Sequence, residues 1–279
     1  MVVSNNRNIL SKNFVKIFSH KDRFLREKYF YMMYKRKKIN IPKVIRFGNN
    51  LIEFKKYNFK KFNSQTIFFE EFLKFLIKLN SGDKSYKLNA KENLKSYNDL
   101  KTQVIKRYKK LNNKKFEKKF QKKLNIVLKY IKTIIENNPN KIQIENKLKI
   151  ISPSDVGVHN YAKYNNKFIF YDFEYAGLDN PIKLICDLYY QPEANIKKKN
   201  MLKFIYEFER NFKFKIPKNF IYFEKLFRVK MILIILNVFL GSNITRKLKS
   251  SFTNKKIDYI KMQRLNKSLK YISKPYISN

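Results

Sequence analysis

Three side chains in the stretch Ser152 to Glu174, SPSDVGVHNYAKYNNKFIFYDFE, are spaced for work on a phosphate: Asp155, Asn160 and Asp172. A carboxylate at the first position can accept the proton of an attacking hydroxyl. An amide oxygen and a second carboxylate at the other two can hold magnesium against nucleotide phosphates. Such chemistry asks the protein for positioned charge rather than covalent steps, so the spacing matters only if the backbone gathers the three groups.

The surrounding pattern predicts that it does. Leu148 to Ile151 is a short apolar run expected to be a strand, and the polar sequence Ser152 to Asn160 follows it. Val158 to Ala162 and Phe168 to Asp172, separated by a turn at Asn165 and Asn166, predict a hairpin. That hairpin folds Asn160 and Asp172 toward each other. Two oxygen ligands at neighbouring strand ends suit magnesium, which keeps few protein ligands beside phosphates and water. Asp155 sits on the loop that enters the hairpin.

Upstream, Asn8 to Phe18 alternates as a strand or a short hairpin turning near Lys12 and Asn13, and Ser19 is the expected N-cap of a helix carrying Phe24, Leu25, Tyr29, Met32 and Met33. Lys16 falls on the strand and Glu27 near the middle of the helix. Lys43 to Phe47 and Leu51 to Phe54 read as strands joined through Gly48, Asn49 and Asn50. The polar run Lys55 to Asn63 lacks periodicity, so a small strand-rich part is expected over residues 1–58 and a helical part over 59–279. Helical spacing recurs over Ser64 to Leu79, Ala90 to Leu111, Lys114 to Ile135, Pro181 to Tyr190, Lys198 to Phe212, Pro217 to Leu240 and Lys255 to Ile272.

Composition narrows the class. Hydrophobic residues make up 44% of 279, enough for a sizeable core, so the chain is not a disordered one. Sixty-three Lys plus Arg against 21 Asp plus Glu give a formal charge of +42, which in isolation points to a polyanion such as nucleic acid. Trp is absent, Gly and Pro are scarce, and the abundant residues Lys, Asn, Ile, Phe and Tyr are those whose codons need only A and T. The basic residues also run almost evenly from Lys12 to Lys274 rather than in one stripe. Nucleotide bias therefore accounts for the lysine better than selection for nucleic acid does. Cys186 is the single cysteine, which rules out an intrachain disulfide, and no uninterrupted apolar run of signal-peptide length opens the chain. Val229 to Leu240, the most apolar segment, is about half the ~20 residues a membrane span needs, so a buried helix and a cytoplasmic location are expected.

The runs SPSDVGVHN and FIFYDFEYAGLDNPIKLICDLYY, over about Ile150 to Pro192, resemble the catalytic core of the aminoglycoside phosphotransferase and choline kinase-like family. The resemblance implies an α+β, protein-kinase-like two-lobed fold, with a small, shortened β-rich N-lobe and a larger, mainly helical C-lobe. It implies ATP and Mg2+ as cofactors, Asp155 as catalytic base, and Asn160 and Asp172 as magnesium ligands. It further implies Lys16 as the phosphate-binding lysine with Glu27 as its partner, and Asp187 as the brace of the catalytic loop.

Two departures carry expectations of their own. Pro153 stands two places before the base, where the family commonly has histidine, so the loop must be braced differently; His159 is read as a structural hydrogen-bonder. Where a glycine-rich turn would cover the phosphates, the chain offers Ser4, Asn5, Asn6, Arg7 and Asn8, of which Arg7 can contact phosphate directly. The family's acceptor pocket draws on the C-terminal part, yet from Leu188 to Asn279 the acids are only Glu193, Glu207, Glu209, Glu224 and Asp258. A polycationic aminoglycoside fits such a surface poorly, and a sugar or related alcohol fits it better. The alternatives are a basic nucleic-acid-binding protein, or a kinase-fold scaffold, in which the phosphotransfer motif is a relic.

Overall fold

The computed structural model describes residues 7–10, 13–58, 64–82, 88–143, 148–157, 160–165, 167–240 and 253–278. In chain order the first elements are β1 (Arg7–Leu10), β2 (Phe14–Ile17), α1 (Lys21–Arg36), β3 (Val44–Gly48), β4 (Leu51–Phe54) and α2 (Gln65–Asn80). Next come α3 (Tyr97–Asn112), α4 (Lys118–Asn137), β5 (Ile150–Ser152), β6 (Tyr161–Tyr164), β7 (Lys167–Phe170) and β8 (Gly177–Asp179). The chain closes with α5 (Pro181–Tyr190), α6 (Lys198–Phe212), α7 (Phe220–Ile235), a 3-10 turn (Leu236–Phe239) and α8 (Asn254–Ile272). A small N-terminal sheet followed by a mainly helical remainder is the expected α+β architecture.

These elements divide into two compact units that interleave along the chain: residues 1–93 with 147–215, and residues 94–146 with 216–279. In the first unit an antiparallel sheet runs in the order β1-β2-β4-β3. Lys16 on β2 lies opposite Ile52, and Phe14 opposite Phe54, so these four share one face of the pleat. Helix α1 lies along that face, with Tyr31 and Phe54 rings 5.0 Å apart. Its N-cap is His20 rather than Ser19, and no side chain caps it. Asp22 in the first turn supplies the negative charge that a helix N-terminus favours.

Helix α2 is the platform for the catalytic segment. Phe68 stacks on Tyr161 at 4.3 Å and Phe75 on Phe170 at 4.3 Å, which fixes the β6–β7 hairpin against it. At its C-terminal end the Asn80 amide accepts from Ile151 N at 2.7 Å and donates to Ile151 O at 3.0 Å, so one side chain holds β5 like a missing strand. On its other side Phe69 meets Phe204 of α6.

The helix expected from Ala90 starts instead at Tyr97, with Ser96 as its cap, accepting from Asp99 N at 3.0 Å. The residues before it are claimed by a non-local pairing. Ala90 N donates to Leu178 O at 2.9 Å, Leu178 N to Leu88 O at 2.9 Å, and Lys91 N to Tyr175 O at 3.1 Å. This approach is so close that a Cβ on Gly177 would lie 2.3 Å from Ala90 N.

The second unit is a helical bundle of α3, α4, α7 and α8. Lys101 closes the C-terminal end of α4 by donating to Asn138 O, Pro139 O and Asn140 Oδ1 at 2.7 to 3.1 Å. The apolar run Val229 to Leu240 is largely buried here, as α7 and the 3-10 turn. No described helix is long and apolar enough to cross a membrane.

Gly177→Ala has backbone, not a flexible side-chain tip, in its way, so β8 and residues 89–90 must separate. A loss of about 1 to 3 kcal/mol of stability is expected, read as a lowered midpoint in urea denaturation; an unchanged midpoint would mean the two backbones part freely.

Candidate active site

The site is built on α1, β2 and the segment after β7. Asp172 leaves β7 with φ at +67°, a left-handed conformation that aspartate tolerates better than most side chains. The fold over-determines that turn. Tyr171 N donates to Asn160 O at 3.0 Å, the backbone of Asp172 is hydrogen-bonded with the buried Tyr31 hydroxyl, and Phe173 packs edge-on against Tyr34 at 4.5 Å and Tyr31 at 5.3 Å. The aromatic face of α1 thus sets where the carboxylate of Asp172 emerges.

Lys16 is the centre of the charge. Its Nζ lies 2.6 Å from Glu27 Oε2, 2.9 Å from Asp172 Oδ1 and 3.7 Å from Glu174 Oε2. Glu27 and Glu174 are buried, whereas the Asp172 side chain is about one-third exposed and so faces an approach from outside. Burial by itself would lower the Lys16 ammonium, but the three carboxylates outweigh it and hold Lys16 protonated, above its ordinary range. Burial pushes the Glu27 carboxyl up to about 8; Asp172 and Glu174 add to that rise and Lys16 opposes it. Arg23, 3.1 Å from Glu174 Oε1, is the second cation of the group.

Asp155 occupies the loop after β5. Its Oδ1 accepts from Gly157 N at 3.2 Å, while its backbone oxygen accepts from Asn160 Nδ2 at 3.1 Å. Because the Asn160 amide nitrogen is committed inward, its oxygen is the atom left for a cation. Asn160 Oδ1 and the part-exposed Asp172 carboxylate are hard oxygen donors of the kind magnesium takes. Glu27, Asp172 and Glu174 also have oxygens within 4.8 Å of one another, but Lys16 already serves as the cation of that trio. Asn160 and Asp172 thus offer donor types that could hold magnesium, while Glu27 and Glu174 are committed to Lys16 and Arg23.

Of the residues singled out in the sequence, Lys16, Glu27 and Asp172 are in direct contact, and Asp155 and Asn160 are tied to one another. Asp187 lies on α5, and Lys183 is its ion-pair partner at 2.8 Å. Arg7 opens β1, its backbone opposite Ile17, and its side chain lies outside the described residues, as do Ser4, Asn5, Asn6 and His159. Sequence reasoning missed Glu174 and Arg23. A second acid two places after Asp172 was visible; its pairing with Arg23, 151 positions away, was not.

The same helix carries two further ties to the 174–176 segment and its neighbours. Arg26 Nη1 donates to Asn89 O and Ala176 O, both at 2.7 Å, and Asp22 pairs with Lys91 at 2.7 Å. Glu27 is thus delivered by a helix held at several points along its length.

A strand lysine paired to a helix glutamate and to an acid beyond a hairpin is the set that the sequence's resemblance to the protein-kinase-like fold implies. The chain has that fold as it occurs in aminoglycoside phosphotransferases and choline kinases. It is similar to the ADP-bound aminoglycoside phosphotransferase APH(2'')-Ib at 14% identity, covering 97% of this chain and 95% of that one, with a TM-score of 0.53. Against the choline kinase LicA from Streptococcus pneumoniae the values are 14%, 98% and 91%, with a TM-score of 0.55. A type I macrolide 2'-phosphotransferase gives 10%, 90% and 82%, also at 0.55. No family model and no curated protein matches the chain in sequence.

Lys16→Met strands three carboxylates around a lost cation and is expected to cost about 3 to 5 kcal/mol. Lys16→Met with Glu27→Gln should recover a large part of that loss in chemical denaturation, because a neutral amide replaces the most buried charge; strict additivity of the two changes would show that they do not interact.

Proposed function

We propose that this protein is an ATP- and magnesium-dependent phosphotransferase that moves the γ-phosphoryl group to a hydroxyl of a small molecule. The observation that carries the reading is the Lys16 ammonium held between Glu27 at 2.6 Å and Asp172 at 2.9 Å. Ordinary surface lysines are not buried among three carboxylates. One that is, with a part-exposed aspartate among them, is read as a cation oriented for phosphate.

In this reading Asp155 receives the proton of the acceptor hydroxyl and orients its oxygen. Lys16 offsets charge on the nucleotide phosphates, and Glu27 keeps its ammonium in place. Magnesium, when bound, neutralises developing charge on the phosphates, and Asn160 and Asp172 would hold it. Arg7, at the start of the strand beside β2, is a further phosphate contact by its charge and place. The ADP-bound phosphotransferase among the similar structures supports ATP as the donor.

The acceptor follows from charge. Glu224 is fully buried and accepts from Ser278 N and Oγ, Asp258 is paired with Lys119, and Glu207 with Arg210. These acids are engaged within the protein, which supports a neutral or anionic hydroxyl compound, a sugar or related alcohol, over a polycationic aminoglycoside.

Magnesium with ATP at about one hundred times its dissociation constant should stabilise the wild type by about 2.7 kcal/mol in a thermal-shift titration. Asp172→Asn, which keeps the left-handed turn, should lose that shift. Asp155→Asn should keep it while losing transfer to a sugar acceptor about 100-fold or more. A wild type that shows no shift with millimolar nucleotide and metal would overturn the assignment.

A further inference from the structure

The loop that presents Asp155 carries Pro153 at a position where a side-chain hydrogen bond is denied to it, and Ser154 beside it has φ at +63°, a conformation that a non-glycine residue keeps only when its surroundings impose it. The surroundings are specific. Ser154 N donates to Ser152 Oγ at 3.0 Å, and Ser154 Oγ accepts from Lys183 Nζ at 3.0 Å. Lys183 is buried, with 3% of its side chain exposed, and its ammonium also meets Asp179 Oδ2 at 3.0 Å and Asp187 Oδ2 at 2.8 Å.

The ammonium therefore donates to the Ser154 hydroxyl and lies in ion-pair contact with both carboxylates. Both aspartates sit four positions from Lys183, one on the strand end before α5 and one on the helix itself. The Asp179 end is fixed in turn: Asn180 N donates to Asp179 Oδ1 at 2.8 Å, and Asn180 Oδ1 caps the helix by accepting from Ile182 N at 2.8 Å. Residues 177–179 pair with 150–152 in β8 and β5, so the strand that leads into the loop and the strand that leads into Lys183 are one ladder. Burial pulls the Lys183 ammonium down, and the two aspartates more than reverse that and keep it charged. An apolar side chain could fill such a space with no cost to stability. Three ionised groups in the interior make sense through the place they give the ammonium, which donates to the hydroxyl of the residue before Asp155.

We propose that Lys183 is a positioning residue: clamped by Asp179 and Asp187, it holds the Ser154 hydroxyl and so sets the orientation of Asp155. Asp187 braces the loop through this lysine. The inference rests on Asp155 as the base of the proposed reaction, but the brace itself is a property of the loop and can be read without substrate.

The decisive variant is Ser154→Ala, which removes the hydroxyl and leaves the buried ion group whole; Lys183→Met, which strands two aspartates and can fail to fold, is the companion. In the full chain, amide hydrogen exchange over 155–157 should rise at least about tenfold in Ser154→Ala while exchange over 184–190 in α5 stays at the wild-type rate. The dissociation constant for magnesium ATP should stay within about threefold, and kcat for ATP hydrolysis or transfer to a sugar should fall about 10- to 100-fold. Unchanged exchange over 155–157, or equal loosening of α5, overturns the brace whatever the kinetics. A wild type that neither binds nor turns over ATP overturns the function instead, and the exchange result still decides the role of Lys183.

Discussion

The structure of the first unit is organised by the cost of a buried lysine. An ammonium as enclosed as that of Lys16 requires negative partners at contact distance, and they come from separate places in the chain: Glu27 from α1, Asp172 and Glu174 from the segment after β7. Supplying them dictates that α1 lie across the sheet and that the hairpin end beneath that helix. Arg23, Arg26 and Asp22 then serve one purpose, to keep α1 from carrying Glu27 away.

Precision at the site is made by stiff apolar parts. Tyr31, Tyr34 and Phe173 form a rigid aromatic seat for the turn at Asp172, and the Phe68, Phe72 and Phe75 ladder of α2 supports the hairpin from behind. Asn80 adds hydrogen bonds that register β5, and thereby the start of the Asp155 loop, against the same helix. The abundance of Phe in this chain, which resembles compositional drift when counted, is here a set of particular contacts.

Much of this was legible in the sequence. Local pattern located α5 and α6, the β3–β4 hairpin and the hairpin between Asn160 and Asp172, because each is set by its own periodicity and turn residues. The sequence singled out Lys16, Glu27 and Asp172, which meet as one ion group, and Asp155 and Asn160, which are tied to one another. What local pattern could not reveal depends on distant partners. Residues 88–91 have helical neighbours in sequence but are taken up by β8, and Glu174 gains its meaning from a guanidinium on α1. The start of α1 after His20 rather than Ser19 follows the Phe18 N bond to Asn50 O, which ties the chain to the sheet as far as Phe18. The interleaving of the two units is likewise written in packing between remote segments.

The left-handed turn at residue 172 bears on how such a chain can drift. Asparagine occupies that backbone region as comfortably as aspartate, and a single G-to-A exchange in the first codon position converts one to the other. In a sequence already crowded with A/T-built codons, that exchange runs along the direction of the bias. The turn itself would not resist it, and the neighbouring aromatic seat would not register the change. An acid at 172 is therefore a demand of the lysine beside it and of whatever cation it meets, and the geometry of the polypeptide is indifferent to it.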